Sequence, residues 1–304
     1  MAFNLTELRD KILDFKKQRK AIILAHNYQP GEVQDIADFV GDSLELSQNA
    51  AKTAAEVIVF CGVHFMAETA SILCPDKKVL LPNINAGCPM ADMVTAKSLK
   101  KRKEELPQAS VVCYVNSSAE VKAESDVCCT SANGVKIVES IDAKEILFIP
   151  DQYLGHYISV KVNKKMHLWR GFCPVHIRIQ PQNIIRLKRD YPQAKVLVHP
   201  ECRPEVMALA DEIQSTSGMC RFAQRTEAKV IIVGTEIGIL HRLKKENPGK
   251  RFIPASEQAV CPTMKLITLD NILWALKEMA YEVKVPEEIR LSAKVAVDRM
   301  LKVG

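Results

Sequence analysis

Pro107-Gln-Ala-Ser-Val-Val112 and Pro192-Gln-Ala-Lys-Val-Leu197 are one phrase written twice, 85 residues apart. Eighty-eight residues before the first copy the chain reads Arg19-Lys-Ala-Ile-Ile-Leu24, another entry into a β-branched, apolar run. The same two steps align Ala37-Asp38 with Ser125-Asp126 and Ala210-Asp211, and Phe60 with Phe148 and Val233. Three Cys-Pro pairs, at Cys88, Cys173 and Cys261, follow at 85 and then 88. The order of steps changes because Phe148 to Cys173 is 25 residues, whereas Phe60 to Cys88 and Val233 to Cys261 are each 28. Several tracks in step at one period mark an internal repeat, here three copies of one unit.

Each copy has the same grammar. Short apolar runs, among them 21–25, 56–60, 78–81, 110–113, 145–149, 195–198, 229–233 and 251–253, alternate with helical patterns such as 65–73, 96–106, 183–189 and 237–245. Near-continuous apolar strands separated by helices predict parallel sheets covered on both faces. The fold class is α/β: three similar three-layer α/β/α units in a pseudo-threefold triangle around a central site. The expected bounds are 1–85 for the first unit, 86–171 for the second and 172–264 for the third. A fourth copy of the leading helix at 269–280 returns the chain to its start, so helices of 265–304 are expected to complete the first unit.

Ligands of parallel α/β sheets sit beyond the carboxyl ends of the strands. Residues just after the first strand of each copy are His26-Asn27-Tyr28, Tyr114-Val115-Asn116 and His199-Pro200-Glu201, which pairs His26 with Tyr114 and His199, and Tyr28 with Asn116 and Glu201. A second ring, Ser43, Ser131 and Thr216, precedes helical patterns. It reads as three helix N-caps, whose amides and dipoles favour a carboxylate or phosphate. Cys88, Cys173 and Cys261 form a third ring. Three sulfurs brought to one point suit a soft metal centre, either zinc with a water or a [4Fe–4S] cluster with one iron open. The other seven of the ten cysteines read as core residues, and no C-x-x-C occurs.

The chain has 304 residues, 47% of them hydrophobic, and a net charge of +6 that is scattered rather than striped. No apolar run reaches the ~20 residues of a membrane span, and Met1–Lys20 is a charged amphipathic segment without a secretory core. A cytoplasmic protein with reduced thiols is expected, with no membrane and no nucleic-acid partner.

At these residues the sequence resembles the quinolinate synthase family, iron–sulfur enzymes of NAD biosynthesis. The matching phrases include Ile23-Leu-Ala-His-Asn-Tyr-Gln29, Asp35-Ile-Ala-Asp-Phe-Val-Gly-Asp-Ser43, Cys129-Thr-Ser-Ala-Asn133, Cys173-Pro-Val-His176, Val198-His-Pro-Glu-Cys202, Gly234-Thr-Glu-Ile-Gly238 and Ala259-Val-Cys261. The resemblance implies condensation of iminoaspartate (iminosuccinate) with dihydroxyacetone phosphate to quinolinate, phosphate and water. It also implies a [4Fe–4S] cluster on Cys88, Cys173 and Cys261, with the open iron acting as a Lewis acid. His26, Ser43, Tyr114, Asn116, Ser131, His199 and Thr216 would bind iminoaspartate. Glu201 would be the acid–base carboxylate and Tyr28 its partner, with His199 and Tyr114 also catalytic; His176 would lie beside the cluster or touch substrate. Transient coupling to an iminoaspartate-producing enzyme is a further expectation. The family's C-x-x-C-x-x-C variant is absent here, where Cys261-Pro-Thr-Met264 stands. Two other classes compete: a different iron–sulfur hydro-lyase acting on a di- or tricarboxylate, and a non-enzymatic iron–sulfur sensor or basic nucleic-acid-binding protein.

Overall fold

In the computed structural model residues 5–303 are described; Met1–Asn4 of the amphipathic N-terminal segment, and Gly304, lie outside them. The first unit runs α1 (Leu5–Gln18), β1 (Ala21–His26), α2 (Gly31–Ile36), β2 (Phe39–Gly41), α3 (Ser43–Lys52), β3 (Val57–Cys61), α4 (His64–Leu73) and β4 (Lys78–Leu80). The second repeats it as α5 (Ala96–Glu105), β5 (Ala109–Tyr114), α6 (Ala119–Ala123), β6 (Val127–Cys129), α7 (Gly134–Ser140), β7 (Glu145–Ile149), α8 (Gln152–Ser159) and β8 (Lys165–Leu168). The third follows as α9 (Pro181–Asp190), β9 (Lys195–Val198), α10 (Pro204–Met207), β10 (Glu212–Ile213), α11 (Thr216–Arg225), β11 (Val230–Gly234), α12 (Ile239–Glu246) and β12 (Arg251–Pro254). Two helices remain, α13 (Leu269–Glu278) and α14 (Glu287–Val303).

The three sheets have one topology: β2-β1-β3-β4, β6-β5-β7-β8 and β10-β9-β11-β12. Every pairing within them is parallel. Strand order reverses between the first and third strand of each unit, and that switch point is where a parallel sheet opens a crevice at its carboxyl edge. The apolar runs explain the inner strands, since all of β3 and most of β1, β5, β7 and β11 are buried.

The aspartate track has a structural meaning. Carboxylates of Asp38, Asp126 and Asp211 accept the backbone N–H of Ile23, Val111 and Val196 at 2.8, 2.7 and 2.8 Å. Their own amides donate to the carbonyls of the same three residues. One acidic residue thus satisfies a buried strand amide that its short edge partner leaves without a ladder bond.

The chain closes its ring in two places. Helix α13 packs on α1 and β3, Arg19 donates to the carbonyls of Leu276 and Lys277, and Glu282 bridges Leu80 at the edge of the first sheet. Helix α14 lies across α6, β6 and α7 of the second unit and touches α4 of the first. No helix among the described residues is long and apolar enough to cross a membrane.

Candidate active site

The twelve residues singled out from the repeat, and His176 from the family resemblance, line one cavity of about 70 Å³ between the three units. His26, Tyr28, Ser43 and Cys88 come from the first, Tyr114, Asn116 and Ser131 from the second. Cys173, His176, His199, Glu201, Thr216 and Cys261 follow from the end of the second unit through the third. No lysine or arginine lines it among the described residues.

The loops after β1 and β9 are built alike. Nδ1 of His26 accepts the amide of Tyr28 at 3.2 Å, and Nδ1 of His199 accepts the amide of Glu201 at 3.3 Å. An accepting Nδ1 places the ring proton on Nε2. His199 Nε2–H accordingly donates to Ser131 Oγ at 3.2 Å. Both histidines are nearly inaccessible, and burial pulls their pKa values down to about 3 despite the opposing charge of Glu201. At neutral pH they are uncharged N–H donors.

Glu201 is buried as well, at 3% exposure. Burial alone would push its carboxyl up; the His176 ring beside it and the hydrogen bond from Tyr114 outweigh that and hold it below the usual carboxylate range. Tyr114 donates its hydroxyl to Glu201 Oε1 at 2.6 Å. His176 Nδ1 lies 2.7 Å from Oε2, within ion-pairing reach but off the hydrogen-bond axis. His176 stacks on His199 with ring centroids 4.8 Å apart, and its Nε2 is 2.8 Å from Thr235 Oγ1. Thr235 in turn sits 2.5 Å from the Tyr28 hydroxyl. A continuous chain, Tyr28–Thr235–His176–Glu201–Tyr114, therefore crosses all three units. Burial and then the Glu201 charge push both tyrosine hydroxyls well above their usual range, so they stay protonated.

The hydroxyl ring is present, but its members are not the caps expected of them. Asp42 caps α3 and Ser215 caps α11, one residue earlier in each case. Asp42 Oδ1 takes the amides of Leu44 and Glu45, and Ser215 Oγ takes that of Gly218. In the second unit α7 begins only at Gly134, three residues beyond Ser131. Because the caps satisfy these amides, the groups turned to the cavity are the hydroxyls themselves. Ser215 also donates to Asp42 Oδ2 at 3.1 Å, which pins the starts of α3 and α11 side by side.

Each Cys-Pro is followed by a short 3₁₀ turn, at Ala91–Met93, His176–Arg178 and Thr263–Lys265. The three thiols are half-buried and free, while the other seven cysteines are buried in the core. Burial raises Cys88 to about 12, with a further push from the neighbouring Cys261. Cys173 is raised too, by burial and by Glu201 and Cys88. Thiolates gathered here need a cation to exist at neutral pH, which is what a bound metal supplies. Sulfur of Cys173, a ring nitrogen of His176 and a carboxylate oxygen of Glu201 also lie within 4.8 Å of one another. The donor set fits a metal cofactor.

The family model for quinolinate synthetase A protein matches residues 10–302. The chain belongs to the quinolinate synthetase A family. It is 62% identical over 293 residues to a quinolinate synthase of Dehalococcoides mccartyi strain CBDB1, covering 96% of this chain and 97% of that protein. A quinolinate synthase of Geotalea uraniireducens is 57% identical over 297 residues, covering 98% of each chain. Quinolinate synthase 2 of Methanosarcina acetivorans is 55% identical over 297 residues, 98% of this chain and 96% of the relative. Within the quinolinate synthetase A family the chain is an enzyme of NAD biosynthesis.

Several residues of this site were not picked out in the sequence. Asp42 and Ser215 share a repeat track with Thr130, three residues of capping type, and that signal was there to be read. Glu236, whose Oε1 accepts the amide of Cys261 at 3.1 Å, shares a track with Asp151 and Val63. Thr235 aligns with Pro150 and Gly62 and carried no signal.

Proposed function

We propose that this enzyme condenses iminoaspartate with dihydroxyacetone phosphate, giving quinolinate, inorganic phosphate and two molecules of water. Cys88, Cys173 and Cys261 would hold a [4Fe–4S] cluster, which when bound supplies an open iron as Lewis acid for a substrate oxygen or nitrogen. The observation that carries the reading is the charge pattern of the cavity. Glu201, a carboxylate held ionised, stands beside Cys173 and close to neutral hydrogen-bond donors.

A dicarboxylate suits those donors. Nε2–H of His26 and the hydroxyls of Ser43, Ser131 and Thr216 face the cavity as groups able to receive carboxylate oxygens, and His199 Nε2–H supports Ser131 from behind. Asn116 Oδ1 is buried without a partner, so it is suited to accept an N–H or O–H of the substrate. Glu201 has the protonation state of a general base for enolisation, and Tyr114, 2.6 Å away, can return a proton in the later dehydrations. Tyr28, through Thr235 and His176, connects to the same carboxylate from the opposite wall. Iminoaspartate hydrolyses in water, which favours direct transfer from the enzyme that makes it.

Anaerobically purified protein should contain about four irons and four sulfides per chain for a cluster of this type. Supplied with both substrates it should release quinolinate. A protein with a full cluster and no product would overturn the reaction; an active protein free of iron would overturn the cluster.

A further inference from the structure

Asn27 follows His26 in the loop after β1, yet it does not line the cavity. It is fully buried, and its amide joins the first unit to two helices of the third, α11 and α12. Nδ2 donates to Thr216 Oγ1 at 2.9 Å, and Oδ1 accepts Arg242 Nη1 at 3.0 Å. The orientation of the amide follows from chemistry. Arginine only donates, so Oδ1 must face Arg242, and Nδ2 must face Thr216. Arg242, on α12, is itself held by the Val40 carbonyl at 2.8 Å and by Glu246 at 2.7 Å.

A hydroxyl that accepts from Nδ2 keeps its own proton for another partner. Thr216 donates to no group among the described residues and lines the cavity. The repeat shows that this amide is no requirement of the scaffold. The equivalent positions are Val115 and Pro200, whose side chains carry no hydrogen-bonding group.

We propose that Asn27 and Arg242 are positioning residues that fix the Thr216 hydroxyl as a hydrogen-bond donor, so that this side of the cavity takes a carboxylate oxygen and rejects an N–H donor such as a carboxamide. The inference rests on the reading of Thr216 as a carboxylate contact. His199 does the same for Ser131 in the second unit, with Nε2–H in place of an amide.

The test is calorimetric titration of the anaerobically prepared holoenzyme with L-malate, a four-carbon dicarboxylate. Asn27→Asp keeps an acceptor for Arg242 but turns the group facing Thr216 from donor to acceptor, so the hydroxyl swings back to it. Malate affinity should fall about ten- to a hundredfold, the range for losing a hydrogen bond to a charged group. Thr216→Val should cost a comparable factor, and the double variant should bind no more weakly than Thr216→Val alone. Arg242→Met, on a half-exposed helix face, frees the amide to rotate and should give a smaller loss that also vanishes in the Thr216→Val background. It serves where Asn27→Asp does not fold. If Asn27→Asp or Arg242→Met weakens the Thr216→Val protein as much as the wild type, or has no effect where Thr216→Val has one, the positioning role is overturned. If Thr216→Val leaves malate binding intact, or the wild type binds no malate, the carboxylate reading itself fails and the inference falls with it.

Discussion

The first and third units turn the same loop toward the cavity and put opposite chemistry on it. In both, a buried histidine, at the end of β1 or just past β9, has an Nδ1 that takes the amide two residues on. In the third unit that second residue is Glu201, ionised and flanked by His176 and Tyr114. In the first it is Tyr28, protonated and bonded to Thr235. The backbone is duplicated; the proton inventory is not. A repeated scaffold can thus place an acceptor and a donor on facing walls of one cavity by changing a single residue per copy.

The largest effect should come from making the two loops alike. Glu201→Gln removes the ionised carboxylate of the third loop, and turnover should fall by roughly 10²–10⁴-fold, the range of general acid–base catalysis. Cofactor absorbance should survive. Turnover within tenfold of the wild type would mean that the third loop supplies no base.

Tyr28→Phe keeps the ring against His26, 4.6 Å between centroids, and removes only the hydroxyl that reaches Thr235. A loss of about tenfold in kcat with little change in KM is expected, smaller than for Glu201 because the carboxylate keeps Tyr114 and His176. An effect equal to that of Glu201→Gln would make the two loops equal partners rather than base and support.

The histidines allow a comparison by pH. His26 sits at about 3 against an ordinary 6.5, chiefly from burial. Its neutral form is favoured by folding, so between pH 6.5 and 3 the unfolded chain binds a proton that the folded chain does not, and stability falls as pH drops through that window. Above pH 6.5 this contribution is flat. Urea midpoints of His26→Asn should therefore decline less steeply than those of the wild type from pH 7 to pH 5. Parallel declines would show that His26 does not differ between the two states.

The smallest effects concern the caps. Asp42→Ala removes a capping box and the acceptor of Ser215, and should cost about 1–2 kcal/mol in urea unfolding. Thr130→Ala, at the same place in the second unit, caps no helix directly and should cost less. Equal costs would mean that the second unit depends on its turn as much as its neighbours depend on their helix starts.

Much of this was legible because duplication leaves periodic traces. The inner strands announce themselves, since runs such as Val57–Cys61 are buried on both faces and must be apolar throughout. Of the edge strands, only β4 and β12 do. β2, β6 and β10 are two or three residues long, too short for a pattern to register. β8, Lys165–Leu168, is partly exposed and mixes Lys and His with Met and Leu. The same holds within the site. Three cysteines and two histidines keep their identity across copies and can be aligned. Thr235 and Asn27 each act in one copy only, across a junction between units, and a junction has no period in sequence.

The crossing of α14 onto the second unit has a consequence for how the molecule is made. Units of a growing chain fold in the order in which they are synthesised, so three sheets can exist before the last helix leaves the ribosome. The walls that carry Ser131 and Tyr114 receive their outer support only then. The cavity in its finished form belongs to the whole polypeptide, and a prematurely terminated one has the parts of the centre without the clasp that packs against the second unit.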